Sequence, residues 1–68
     1  MNTPLREARE DACLTQVQVA DKVGIAETSY QRLEYGFARP SIVTATKIAR
    51  ILNRPIEDIF PVLDGEYI

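Results

Sequence analysis

Histidine is absent from this 68-residue chain, and cysteine occurs once, at Cys13. A single cysteine forms no internal disulfide, and without imidazole neither a zinc site nor a Cys-His nucleophile can be built by the usual means. Paired pocket carboxylates, a phosphate-cradling glycine loop and a nucleophile motif are missing as well. The chain therefore reads as a non-enzyme with no metal, no cofactor and no evident small-molecule ligand. No apolar run approaches the roughly 20 residues that span a bilayer, and the start MNTPLRE has no hydrophobic signal core. The expected compartment is the cytoplasm, with no membrane partner. A chain this short also leaves no room for a second domain.

Positive charge is scarce on average: the formal net charge is -2. That counts against a nucleic-acid partner, because phosphate contacts need Lys and Arg. The average misleads, however. All eight basic residues precede Pro55, where only six acids lie, while Glu57, Asp58, Asp64 and Glu66 crowd the C-terminal end. The body is thus weakly basic and the end acidic.

What is present is a helical pattern with clear punctuation. Thr3 before Pro4 predicts an N-cap with proline in the first turn, and Leu5, Ala8 and Ala12 then share the inward face of a helix running to about Ala12. Thr15 caps a short second helix with Val19, Ala20 and Val23 inward, stopped at Gly24. A third helix, over 27–35, buries Tyr30 and Leu33 and stops at Gly36. Ser41 caps a longer fourth helix with Ile42, Ala45, Ile48, Ala49 and Leu52 inward, ending near Asn53. Pro55 opens a last short helix burying Ile56, Ile59 and Phe60, and Pro61 closes it. The expected architecture is all-α, a compact five-helix bundle over 1–61 with a tail over 62–68.

The informative stretch is TQVQVADKVGIAETSYQRLEYG, residues 15–36, two short helices joined at Gly24. Ala20 is small where a second helix must cross closely, and Gly24 supplies the backbone angle of the turn. With Tyr30 and Leu33 inward, Glu27, Thr28, Gln31 and Arg32 point outward, a polar face that a DNA major groove can accept.

The run L-x-x-x-R, then L-T-Q-x-x-x-A-x-x-x-G, L-E-x-G, R-P-S, K-I-A-x-x-L and E-D-I-F resembles the Cro and phage-repressor type of helix-turn-helix protein, the XRE-like family, from Leu5 to Phe60. The resemblance implies a lambda-repressor-like DNA-binding domain, a recognition helix after the turn, double-stranded DNA as partner, repression or activation as the outcome with repression the expected one, and a homodimer. It implies a phosphate anchor at Gln16, base reading by Glu27, Thr28 and Arg32, a phosphate contact from Ser29, and a basic loop contact from Arg39, with Lys22 flanking. It also implies a structural ion pair between Arg9 and Glu34. Three departures stand out. Ala26 replaces the usual Ser or Thr cap of the recognition helix, Phe37 replaces a basic loop residue, and Cys13 replaces the common glycine after helix 1 and reads as a buried or half-buried thiol.

Apolar residues the core does not need suggest where the dimer forms. Val43 and Ile51 fall on other faces of helix 4, and Val62, Leu63, Tyr67 and Ile68 follow in the tail. A dense apolar cluster in a short chain marks an interface more often than a bare surface. The competing reading is a protein-interaction or antitoxin-like module in which DNA binding is secondary.

Overall fold

A computed structural model describes residues 1–61, and among these every regular element is a helix. The order is α1 (Thr3–Asp11), α2 (Gln16–Val23), α3 (Glu27–Tyr35), α4 (Ile42–Leu52) and α5 (Ile56–Ile59). The second helix packs on α3 and α4, while α1 packs on α5 and α3 and α4 closes against α5. The expected all-α bundle of five helices is the fold observed. Of the expected tail contacts, Val62, Leu63, Tyr67 and Ile68 lie outside the described residues.

One core serves all five helices. Leu5 and Ala8 from α1, Val19, Ala20 and Val23 from α2, Tyr30 and Leu33 from α3, Ala45, Ile48, Ala49 and Leu52 from α4, and Ile59 and Phe60 from the last turn meet in it. Each large aliphatic or aromatic side chain buried this way contributes roughly 1.5–3 kcal/mol by leaving water. Such terms stabilise an 8- to 11-residue helix that would be marginal alone.

The caps decide the helix limits, with one correction to the sequence reading. Asn2, not Thr3, caps α1: its Oδ1 accepts from the Leu5 N–H at 3.0 Å, which places Thr3 and Pro4 inside the first turn. Asn2 also donates from Nδ2 to the Ile59 carbonyl at 2.6 Å and from its backbone N–H to the Glu34 carbonyl at 2.7 Å. A single residue therefore ties the start of α1 to α3 and α5. Thr15 and Gln18 form a reciprocal capping box on α2, and Ser41 caps α4 through the Thr44 N–H.

Four other expectations are corrected. Ile42 is 55% exposed, because it sits at the tip of α4, one turn before Ala45, where the core begins. Ala12 is exposed since α1 ends at Asp11, and the period of an inward face stops with the helix. Ile51 packs partly buried against the core rather than facing away from it. Cys13 is exposed, neither buried nor half-buried, and adopts a left-handed backbone with φ of 59° between α1 and α2. That conformation accounts for the glycine the resemblance leads one to expect at this position.

The polar centre of the fold is a bidentate ion pair. Arg9 donates from Nε to Glu34 Oε2 at 2.8 Å and from Nη2 to Oε1 at 3.0 Å. Its Nη1 reaches the Leu14 carbonyl at 2.9 Å, closing the α1–α2 link. The Glu34 side chain is only 1% exposed. Burial acts to raise the Glu34 carboxyl pKa, yet the Arg9 guanidinium, with the neighbouring Tyr30 hydroxyl and the Gln16 amide, outweighs it and holds the pKa below the ordinary value. The Tyr30 hydroxyl, buried beside this carboxylate without a hydrogen bond of standard geometry, has its pKa pushed up by burial first and by Glu34 second.

These contacts and the α1–α2 turn generate three predictions. Arg9→Ala strands a buried carboxylate and costs roughly 3–5 kcal/mol, so thermal denaturation should show a melting temperature lower by on the order of 15 °C or more. A shift near zero would mean that the pair adds nothing. Because the folded-state pKa of Glu34 is depressed, its contribution is present above the unfolded value, roughly 4.3, and is lost as pH falls through the folded value. Denaturant melts across this acid range should slope less in Glu34→Gln than in the native chain. Cys13→Gly tests the turn: relief of a left-handed side-chain residue, about 1–2 kcal/mol, exceeds the entropy glycine adds to the unfolded chain, about 0.5–1 kcal/mol. The variant should melt no lower than the native protein.

Candidate nucleic-acid interface

Two short helices and a three-residue turn make the surface of interest. Gly24, with φ of 88°, ends α2 in the left-handed region. The N–H groups of Gly24 and Ile25 both return to the Ala20 carbonyl, at 2.8 and 3.0 Å, which turns the chain sharply enough for α3 to cross α2. Ala20 itself is buried at the crossing. Alanine at this point lets the two backbones approach.

The third helix starts at Ala26 with no side-chain cap, so the lost Ser or Thr is not replaced. Glu27 in the first turn is the compensation available, since a carboxylate there interacts favourably with the positive end of the helix dipole. At the other end Gly36, φ 82°, stops the helix; a Cβ added there would come within 3.3 Å of the Met1 nitrogen. The left-handed backbone favours glycine here, and the nearby chain start leaves little room for a side chain.

Tyr30, Leu33 and Glu34 are buried and lock one side of α3 into the domain. The opposite side presents Glu27, Thr28, Ser29 and Arg32, all exposed. Arg39, in the loop after α3, is exposed too, as is Lys22 near the end of α2. Ser29, Arg32 and Arg39 line one shallow concavity of about 420 Å³. Two further residues that sequence reasoning did not place here, Ser41 and Thr44, complete its wall. The signal for them was the Arg39-Pro40-Ser41 order: a cap two residues beyond a loop arginine brings the start of α4 to the same surface.

Two predicted site residues are less free than their positions suggest. Gln16 is half-buried, and its Nε2 donates inward to Glu34 Oε1 at 3.2 Å and to the Tyr35 hydroxyl at 3.4 Å. Gln31, also half-buried, donates to Gln16 Oε1 and to Glu27 Oε2, both at 3.3 Å. Tyr35 was not singled out in the sequence and lies edge-on to Phe37, ring centroids 6.5 Å apart. Phe37 itself is 75% exposed. Of the expected dimer contacts among the described residues, Val43 is exposed while Ile51 is turned to the core.

Chemically the surface offers hydrogen-bond donors and acceptors on a rigid helix, flanked by basic side chains. Among the described residues no group of His, Cys, Asp and Glu could hold a metal ion, and no helix is long and apolar enough to cross a membrane. A helix in this setting can enter a major groove, where base edges present a distinct pattern for each pair.

Comparison with known proteins agrees with this geometry. The helix-turn-helix family matches residues 5–59. The chain is 45% identical to an uncharacterised HTH-type transcriptional regulator of Methanothermobacter thermautotrophicus, over 97% of this chain and 96% of the relative. It is 42% identical to another of Archaeoglobus fulgidus, covering 97% and 93%. A shorter match, 40% identical over 66% of this chain and 40% of the relative, is to the cryptic phage CTXphi transcriptional repressor RstR of Vibrio cholerae. No solved structure matches the chain significantly. With its packed α2–turn–α3 unit and a family match over residues 5–59 that reaches all five helices, the chain belongs to the Cro/C1-type, XRE-like helix-turn-helix family of DNA-binding transcriptional regulators.

Proposed function

We propose that this regulator binds operator DNA as a homodimer in the cytoplasm, inserts α3 into the major groove and represses transcription. One observation carries the reading: Glu27, Thr28, Ser29 and Arg32 are all exposed on a helix whose other side is fixed by Tyr30, Leu33 and Glu34. Residues 1–61 act as the DNA-binding unit.

Each side chain has a task that follows from its chemistry. Arg32 can bond the O6 and N7 edge of guanine, Thr28 can donate to a base or pack on a thymine methyl, and Glu27 can accept from the cytosine amino group. Ser29 and Arg39, on one concave surface with Ser41, are placed for phosphate oxygens, and Lys22 adds charge at the flank. At Gln16 the start of α2 offers backbone N–H groups and the positive end of its dipole to another phosphate. Repression is supported by the similarity to the Vibrio cholerae phage repressor. Where the protein covers a promoter, occupancy alone suffices.

A dimer is supported by energetics and by surface. Few basic residues on a net-acidic chain make one subunit a weak binder, whereas two recognition helices about 34 Å apart engage successive turns of DNA. Val43, 63% exposed, lies beside Ile42 at the start of α4, and the chain continues into the apolar Val62, Leu63, Tyr67 and Ile68.

Selection from a random DNA pool should return a palindrome. Arg32→Ala should then weaken binding by roughly 1–3 kcal/mol and relax one position in each half-site, whereas Arg39→Ala should weaken all sequences alike and reduce the salt slope by about 1. An unchanged site and affinity for Arg32→Ala would refute the assignment of α3. For the dimer, sedimentation equilibrium at micromolar concentration should show two copies for the intact chain and one for a chain ending at Pro61. A monomeric intact chain, or a truncated chain that pairs equally well, would remove the tail from the interface.

A further inference from the structure

Two carboxylates stand at opposite ends of a chain of amides. Glu34 lies in the core, held by Arg9, while Glu27 is exposed at the first residue of α3. Between them the Gln16 amide donates to Glu34 and accepts from Gln31, and the Gln31 amide donates both to Gln16 and to Glu27. The polarity of this chain is forced. An ionised carboxylate only accepts, so each end needs an N–H group. Turning either amide over would set oxygen against a carboxylate oxygen. The donors of Gln31 are thereby committed to Gln16 and Glu27, and those of Gln16 to Glu34 and Tyr35.

This arrangement matters because Glu27 is a hazard near DNA as well as an asset. A free carboxylate on a flexible side chain is repelled by the phosphates, and it can bond a base only where the base offers a donor. In the major groove those donors are the amino groups of cytosine and adenine, and a carboxylate meets the cytosine N4 group best. Guanine O6 and N7 and thymine O4 are acceptors and repel it. A carboxylate whose Oε2 is already anchored, with its other oxygen directed at the base, loses less side-chain freedom on binding and discriminates more sharply.

We propose that Gln31, joined to the buried Arg9–Glu34 pair through Gln16, is a positioning residue that holds the Glu27 carboxylate for acceptance of a cytosine amino group. The proposal rests on the DNA-binding reading above and deepens it. Gln31 in this role does not itself read a base; it carries the rigidity of the core to the side chain that does. The side chain of Gln16 belongs to the same relay, and the phosphate at the start of α2 is left to backbone N–H groups.

The experiment compares the native chain with Glu27→Ala, Gln31→Met and the double variant, each confirmed folded by its thermal melt. All four proteins are taken through selection from the random DNA pool and through competition binding against the four base pairs at each position. Glu27→Ala identifies the position that Glu27 reads by loss of its cytosine preference. Gln31→Met keeps the length of the side chain and removes its donors, so it should lower the cytosine preference at that same position by about tenfold, a typical share of one base contact. Preferences read by Arg32 and Thr28 should persist. In the double variant the Gln31 change should add nothing further at that position, since the two residues act as one unit. A Gln31→Met protein with an undiminished cytosine preference, a loss spread evenly over all positions, or additive losses in the double variant would overturn the positioning role. So would a Glu27→Ala protein with an unaltered site, while recognition through Arg32 would still stand. If the native chain enriched no sequence at all, the DNA reading itself would fall, and this proposal with it.

Discussion

The Arg9–Glu34 pair is the contact on which the rest of the domain depends. A buried carboxylate is costly to desolvate, and only a charged, well-oriented partner with further hydrogen bonds offsets that cost. Here the partner is planar and bidentate, and its remaining nitrogen is spent on the Leu14 carbonyl at the turn into α2. Three segments are tied together by two side chains: α1 through Arg9, the α1–α2 link through Leu14, and α3 through Glu34. Hydrophobic burial supplies more free energy than this pair, but it is non-directional. The ion pair sets the rotation of α3 about its axis, and that rotation decides which residues face outward.

From this centre the functional surface follows with few further constraints. The turn after α2 needs a left-handed residue and a small one at the crossing, and Gly24 and Ala20 meet both needs. The chain start adds a second clasp, with Asn2 bonded to carbonyls of α3 and α5. The third helix is held at its middle by Tyr30 and Leu33, near its end by the Glu34 side chain, and at the Glu34 carbonyl by the Asn2 N–H. Its start at Ala26 has no side-chain cap. That end also carries Glu27 and Thr28, and the Gln31 amide reaches the Glu27 carboxylate there.

The charge distribution explains how a net-acidic protein serves as a DNA-binding regulator. Arg32 and Arg39 stand on one concave surface with Ser29 and Ser41, while on another part of the surface Arg54 is engaged with Asp11 at 2.9 Å. Basic groups therefore do two jobs, and only some of them are directed to the surface around α3. Local field rather than formal net charge governs what approaches a surface within a Debye length, about 8–10 Å at physiological salt.

Much of this was legible from residue order, because it depends on neighbours within a turn or two. Thr15 and Ser41 announced helix starts, Gly24 and Gly36 announced stops, and the spacing of Val19, Ala20, Val23, Tyr30 and Leu33 gave the buried faces of α2 and α3. The helix-turn-helix unit and its outward residues follow from that periodicity. What the sequence could not determine depends on residues far apart in the chain. Asn2 outcompetes Thr3 as a cap partly because the Ile59 carbonyl, 57 residues away, takes its amide. Ile42 has the phase of a core residue, but the reach of the neighbouring helices stops one turn short of it. Gln16 occupies the place of a surface contact, yet its donors turn inward because a buried carboxylate and Gln31 stand within hydrogen-bond distance. Periodicity tells which side of a helix is apolar; only the tertiary structure decides where that side meets another element, and which polar groups must answer a charge buried there.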